Sequence, residues 1–147
     1  MICLLLEQNK KKYLEIILDA IGCNLIIEKL TLLDSLRVSR LDASNAVDHR
    51  TKQGYINIES LSFVYCSTEH IANTEYNIKS SVIGSDEVEI CLTSSGIQEL
   101  QCIVEYIKDN DDHVHLLGES DLYTGEEDSY PSNNVIGAIT IYNSLDY

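Results

Sequence analysis

A chain of 147 residues falls in the single-domain size range and can bury roughly two thirds of its unfolded surface without disulfide or metal. With 44% apolar and 23% charged residues it has a globular composition, which excludes a wholly disordered or collagen-like polymer. Ten Lys and Arg against 24 Asp and Glu give a formal charge of -14, which disfavours nonspecific binding to nucleic acid or an anionic membrane and favours a basic partner.

In chain order, residues 1–6 read as a short buried strand. Residues 10–21 follow helical spacing, with Tyr13, Ile16, Ile17, Ala20 and Ile21 on one face and Gly22 placed as a C-cap. Residues 23–30 (CNLIIEKL) read as a strand, residues 32–41 are ambiguous, and residues 42–54 form a polar loop. Residues 55–66 alternate in two registers, which predicts two strand pieces with a switch near Glu59 and Ser60. Residues 76–83 and 87–92 predict a hairpin closed by Gly84, Ser85 and Asp86, with one face of the second strand solvated.

Residues 95–108 make the clearest helix: Ser95 and Gln98 have capping-box spacing, and Ile97, Leu100, Ile103, Val104 and Ile107 form one stripe. A short strand over 113–117, a polar acidic loop over 118–134 and a buried strand over 135–142 (VIGAITIY) complete the chain. No internal repeat is visible. The expected fold is α+β, a single domain built on a mainly antiparallel sheet with two main helices, at about 10–21 and 95–108.

Five cysteines at wide spacings, none in a C-x-x-C pair, suit a reducing compartment and read as small buried hydrophobes. No signal peptide or membrane-spanning run is present, so a cytoplasmic location is expected. Asp109 to His115 has the oxygen density of a calcium loop, but Val114 and Ser120 stand where an EF-hand needs Gly and Glu. His113 and His115 share one strand face and could both reach a metal, yet no third histidine lies near. No nucleophile elbow, phosphate loop or zinc-protease motif occurs, so no catalytic residue, metal or cofactor is assigned and no enzyme is expected.

Charge is uneven. Residues 1–54 carry a net of +1 and residues 55–147 a net of -15. Between 105 and 128, Glu105, Asp109, Asp111, Asp112, Glu119, Asp121, Glu126, Glu127 and Asp128 face Lys108 alone, with Tyr123 and Tyr130 interleaved. These eleven acidic and tyrosine residues are the candidate partner-binding surface, charge steering encounter and aromatics anchoring. A solvated, solubilising face is the competing reading.

The order of the last third, strand 87–92, a helix opening Ser-Ser-Gly-Ile-Gln-Glu-Leu, the strand His113-Val114-His115-Leu116, an acidic loop and a final VIGAITIY strand, resembles small bacterial immunity proteins of polymorphic-toxin systems over about residues 87–142. The resemblance implies a cytoplasmic inhibitor, without catalysis of its own, that covers the active site or substrate groove of one cognate toxin domain, often a nuclease. Nuclease domains need cationic surfaces for phosphates, which a carboxylate-rich inhibitor can occupy. The expected partner is therefore a basic toxin domain, with no nucleic acid and no membrane. An acidic secretion chaperone binding an extended effector segment is the alternative.

Overall fold

Asp19 sets where the chain turns from strand to helix. Its carboxylate accepts the Gly22 amide at 2.8 Å and the Met1 amine at 2.6 Å, so helix α1 spans Ala20–Leu36. Strands β1 (Ile2–Gln8) and β2 (Lys12–Leu18) precede it. Within the helix expected at 10–21, residues 12–18 are thus strand β2 and residues 20–21 open α1, and the strand expected at 23–30 is the middle of α1. Gly22 is not a C-cap but sits in the first helical turn, where an added Cβ would lie 2.2 Å from the Met1 carbonyl oxygen. The computed structural model describes residues 1–8, 12–43, 54–67, 77–117, 122–123 and 134–147.

After α1 come β3 (Val38–Asp42), β4 (Tyr55–Asn57), β5 (Ser60–Tyr65), β6 (Ile78–Val82) and β7 (Glu87–Leu92). Helix α2 (Ser94–Asp109), β8 (His113–Leu117), β9 (Leu122–Tyr123) and β10 (Ile136–Asn143) follow. The expected register switch near Glu59 and Ser60 separates β4 from β5, and β7 alternates buried with half-exposed residues as its sequence predicts. Helix α2 is capped by Thr93 rather than by Ser95, the Thr93 hydroxyl accepting the Gly96 amide at 3.1 Å. Most of the loop expected at 118–134 lies outside the described residues.

The fold is α+β as expected, with two helices and two mixed, mainly antiparallel sheets. One sheet has the order β4-β1-β2-β10-β8, the other β3-β5-β7-β6-β9. The exchange between them follows a rule. The described residues of 1–66 and of 77–144 follow the same order: an antiparallel strand pair, a helix, then a strand pair that completes the opposite sheet. Strand β10 joins β2 in parallel, and β5 joins β7 in parallel.

The hydrogen bonds repeat along with the path. Asp19 N donates to Met1 O and Thr93 N to Asn77 O; Tyr65 N donates to Arg37 O and Asn143 N to Asp112 O; Cys66 N donates to Leu92 O and Ser144 N to Leu18 O. Gly96 repeats the role of Gly22, its missing Cβ leaving room for the Asn77 carbonyl. The molecule is therefore an internal pseudo-twofold with exchanged strands, which the sequence does not display because the equivalent positions share conformation more than side chains. The short β9, which pairs with β6 in parallel, has no counterpart among the described residues.

The main core joins both halves. Leu4, Leu14 and Ile141 from the first sheet, Phe63, Ile90 and Leu92 from the second, and Ile26, Leu30, Leu100 and Val104 from the helices belong to one buried cluster. A second cluster, Cys3, Leu5 and Ile17 with Tyr55, Tyr142 and Tyr147 packed against it, lies on the other face of the first sheet. Cys3, Cys23 and Cys66 are buried and Cys91 is half-buried, but Cys102 is exposed on α2, contrary to its reading as a core residue. Among the described residues no helix is long and apolar enough to cross a membrane.

Candidate functional site

The end of α2, the turn into β8 and the C-terminal turn meet on one rim of the first sheet. Asn143 holds them together. Its backbone amide donates to Asp112 O at 2.9 Å, its side-chain Nδ2 donates to Ile107 O at 2.8 Å, and its Oδ1 accepts the Leu145 amide at 2.9 Å. Asp146 N then donates to Asn143 O, which fixes the turn that carries the Asp146 side chain.

On this frame Asp112, His113 and Asp146 converge. His113 Nδ1 lies 2.7 Å from Asp146 Oδ2 and 3.7 Å from Asp112 Oδ1. Asp112 Oδ1 accepts the His113 amide at 2.8 Å, and its Oδ2 accepts the Tyr106 hydroxyl at 2.6 Å. The Tyr106 hydrogen bond, helped by the His113 amide, holds the Asp112 carboxyl below its ordinary value, and the same bond to Asp112 raises the Tyr106 phenol. The His113 ring stacks on Tyr142 with centroids 5.3 Å apart and meets His115 edge-on at 4.8 Å. His115 Nδ1 lies 2.9 Å from the Thr140 hydroxyl, and Tyr147 donates its hydroxyl proton to Glu15 Oε2 at 2.7 Å.

Around this cluster Glu105, Tyr106, Asp109 and Asp111 are exposed. Glu105 is paired along the helix with Lys108 at 3.2 Å, a contact worth little at a surface. Lys108 is the one Lys or Arg in residues 94–117 and 134–147. Of the candidate surface read from sequence, Glu105, Asp109, Asp111 and Asp112 thus fall together at this rim. Tyr123 contributes its backbone to β9 on the other sheet, and Glu119, Asp121, Glu126, Glu127, Asp128 and Tyr130 lie outside the described residues.

Sequence reasoning missed Tyr106, Tyr142, Tyr147 and Asp146. The first faces outward from the apolar stripe of α2. The other three are brought to the rim only by the exchanged strand β10, so no local pattern announces them.

Elsewhere a polar cleft of about 250 Å³ is lined by Arg40, Asp42, Glu59, Asp86 and Glu87, with Arg40 bonded to Glu87 at 2.9 Å. A wider one of about 550 Å³ lies between Lys79, Ile83 and Asn134. Neither cleft is lined by a His or Cys. In comparisons with known proteins, the chain matches no protein-family model, and no curated protein is detectably similar to it.

Proposed function

We propose that this protein is a non-catalytic binding module that takes a basic protein domain on the acidic and aromatic rim at the end of α2, in the role of an immunity protein against a nuclease-type toxin. The observation that carries the reading is the gathering of Asp112 and Asp146 around His113, with Tyr106 bonded to Asp112, the exposed Asp109 and Asp111 beside them in sequence and Lys108 as the nearby cation in sequence. Such a rim combines a long-range field for encounter with aromatic area for anchoring. The net of -15 over residues 55–147 supports the same partner class. The resemblance of residues 87–142 to immunity proteins supplies the biological role.

The test is binding to a basic toxin domain, sought in the reading frame beside this gene, with Asp109→Lys and Asp111→Lys combined. Both side chains are exposed, so the fold is expected to survive. Association should slow at least tenfold in the variant and with rising salt, and protection of cells expressing the domain should fail. Unchanged affinity and full protection would remove this rim from the interface.

A chaperone reading has one observation in its favour. Ile21, Leu32 and Leu36 of α1 are 75%, 43% and 58% exposed, which offers apolar surface to an extended segment. Capture of an unfolded effector segment, without inhibition of any folded domain, would select it.

A further inference from the structure

We propose that Asp112, His113 and Asp146 form a binding site for one divalent transition-metal ion of the zinc type. The donor set is one imidazole nitrogen and two carboxylates, a combination that suits Zn²⁺ and carries the charge to neutralise it. The ligand atoms lie within 4.8 Å of one another. A tetrahedral ion with bonds of about 2.0 to 2.1 Å needs its donors about 3.3 Å apart. The 3.7 Å from His113 Nδ1 to Asp112 is near that value, and the 2.7 Å to Asp146 is a hydrogen-bond distance that binding has to lengthen.

The surroundings are those of a held site. Tyr106 fixes the far oxygen of Asp112, Tyr142 stacks against the imidazole, and the Asn143 hydrogen bonds fix the turn beneath Asp146. Among the described residues neither carboxylate meets a Lys or Arg. Without metal, the short His113 contact is a hydrogen bond between Nδ1–H and Asp146. On binding, the Nδ1 proton is given up to solvent and Nδ1 gives its lone pair to the ion, the neutral ring then carrying its one proton on Nε2.

The internal repeat supplies an independent comparison. The position equivalent to Asp112 is Arg37, because both carbonyls accept the amide at the end of the exchanged strand. The position equivalent to His113 is Val38, since each pairs one residue before the end of that strand, with Tyr142 and Val64. There the chain turns directly after α1 at Arg37 with φ 68°, a conformation Asp112 does not share, the Arg37 guanidinium lies 4.5 Å over the Tyr65 ring, and no such ligand set occurs among the described residues. The scaffold therefore does not require the Asp112, His113 and Asp146 combination. The inference deepens the picture of this rim but does not rest on the partner reading, because it is tested on the isolated protein.

The experiment is calorimetric titration of the tag-free full chain with ZnCl₂, with Co²⁺ absorption as a second readout. One saturable site in the micromolar range is expected, weakened at least tenfold by Asp146→Asn and by His113→Gln and about tenfold by Tyr106→Phe, a positioning residue. Cys102→Ser should bind as the parent does. Far-UV circular dichroism checks that each variant is folded, and the two ligand variants lie on different segments, so a misfolded one leaves the other to decide. Absence of saturable binding, equal affinity in both ligand variants, or loss of binding in Cys102→Ser would overturn the proposal.

Discussion

Ser80 occupies the place in β6 that Leu4 holds in β1, opposite Ile90 as Leu4 is opposite Ile16. It is fully buried, and its hydroxyl has no hydrogen-bond partner among the described residues. A buried unpaired hydroxyl is costly, whereas its removal leaves only a small void. Ser80→Ala is expected to raise stability by about 1 kcal/mol in urea unfolding; a loss of stability would show that the hydroxyl is paired. The thiols give a second residue-scale expectation. Burial pushes the Cys23 thiol up to about 11 and raises Cys91 further, with Cys66 beside it adding to the shift. Both are poor nucleophiles, while Cys102 is exposed. Titration with an aromatic disulfide should find one fast thiol, absent in Cys102→Ser, with the rest released on unfolding. More than one fast thiol would mean that the core opens readily.

At the scale of elements, α1 depends on its first turn. Burial works to raise the Asp19 carboxyl, but the Met1 amine and the Gly22 and Ile21 amides outweigh it and hold the group below its ordinary value. A lowered carboxyl contributes stability that is present above the unfolded value near 3.9 and lost as pH falls through the folded one. Asp19→Asn keeps the capping oxygen and removes the charge, so its deficit should be visible at neutral pH and vanish in the acid range. Asp19→Ala should cost about 1 kcal/mol more through loss of the cap. Melting curves across pH check both, and a deficit for Asp19→Asn that persists in acid would locate the effect elsewhere.

Strands β1 and β10 are legible as short apolar runs, and two further elements as patterns buried on one face. Strand β7 and helix α2 each present a polar side, so their periods of two and 3.6 residues stand out. Strand β2 does not: Leu14, Ile16 and Leu18 enter the main core while Ile17 enters the second cluster, and an apolar run buried on both sides mimics helical spacing. Helix α1 hides for the opposite reason, since Ile21, Leu32 and Leu36 are apolar on its exposed side and blur the stripe of Cys23, Ile26, Leu30 and Leu33. The candidate site was half legible. Asp112 and His113 are neighbours in sequence, whereas Asp146 reaches them only across 33 residues of chain.

At the scale of the whole molecule, the pseudo-twofold makes the chain termini equivalent to the join between the halves. Residues after Cys66 lead to Asn77, and residues after Ser144 lie in the same relation to Met1. A circular permutant opened within residues 68–76, with Tyr147 joined to Met1 by a linker that together with residues 145–147 matches the length of residues 67–76, should therefore fold with the same circular dichroism spectrum. It should be modestly less stable, because the Met1 amine no longer pairs with Asp19. Failure to fold would show that the two crossings are not interchangeable.

The exchange of β5 and β10 also orders events during synthesis. Strand β5 is made shortly before its partner β7, but β2 waits for β10 until both helices and every other named strand have been made. Until then β2 has one bare edge, and its apolar face is open where Ile139 and Ile141 will pack. Parallel pairing across so long a loop is slow, and an unpaired apolar strand edge invites association with another chain. The nascent first half is thus expected to be the species most open to aggregation. A second nascent chain could supply the missing strand as readily as its own C-terminus, which makes strand-swapped dimers the misassembly to look for when expression is fast.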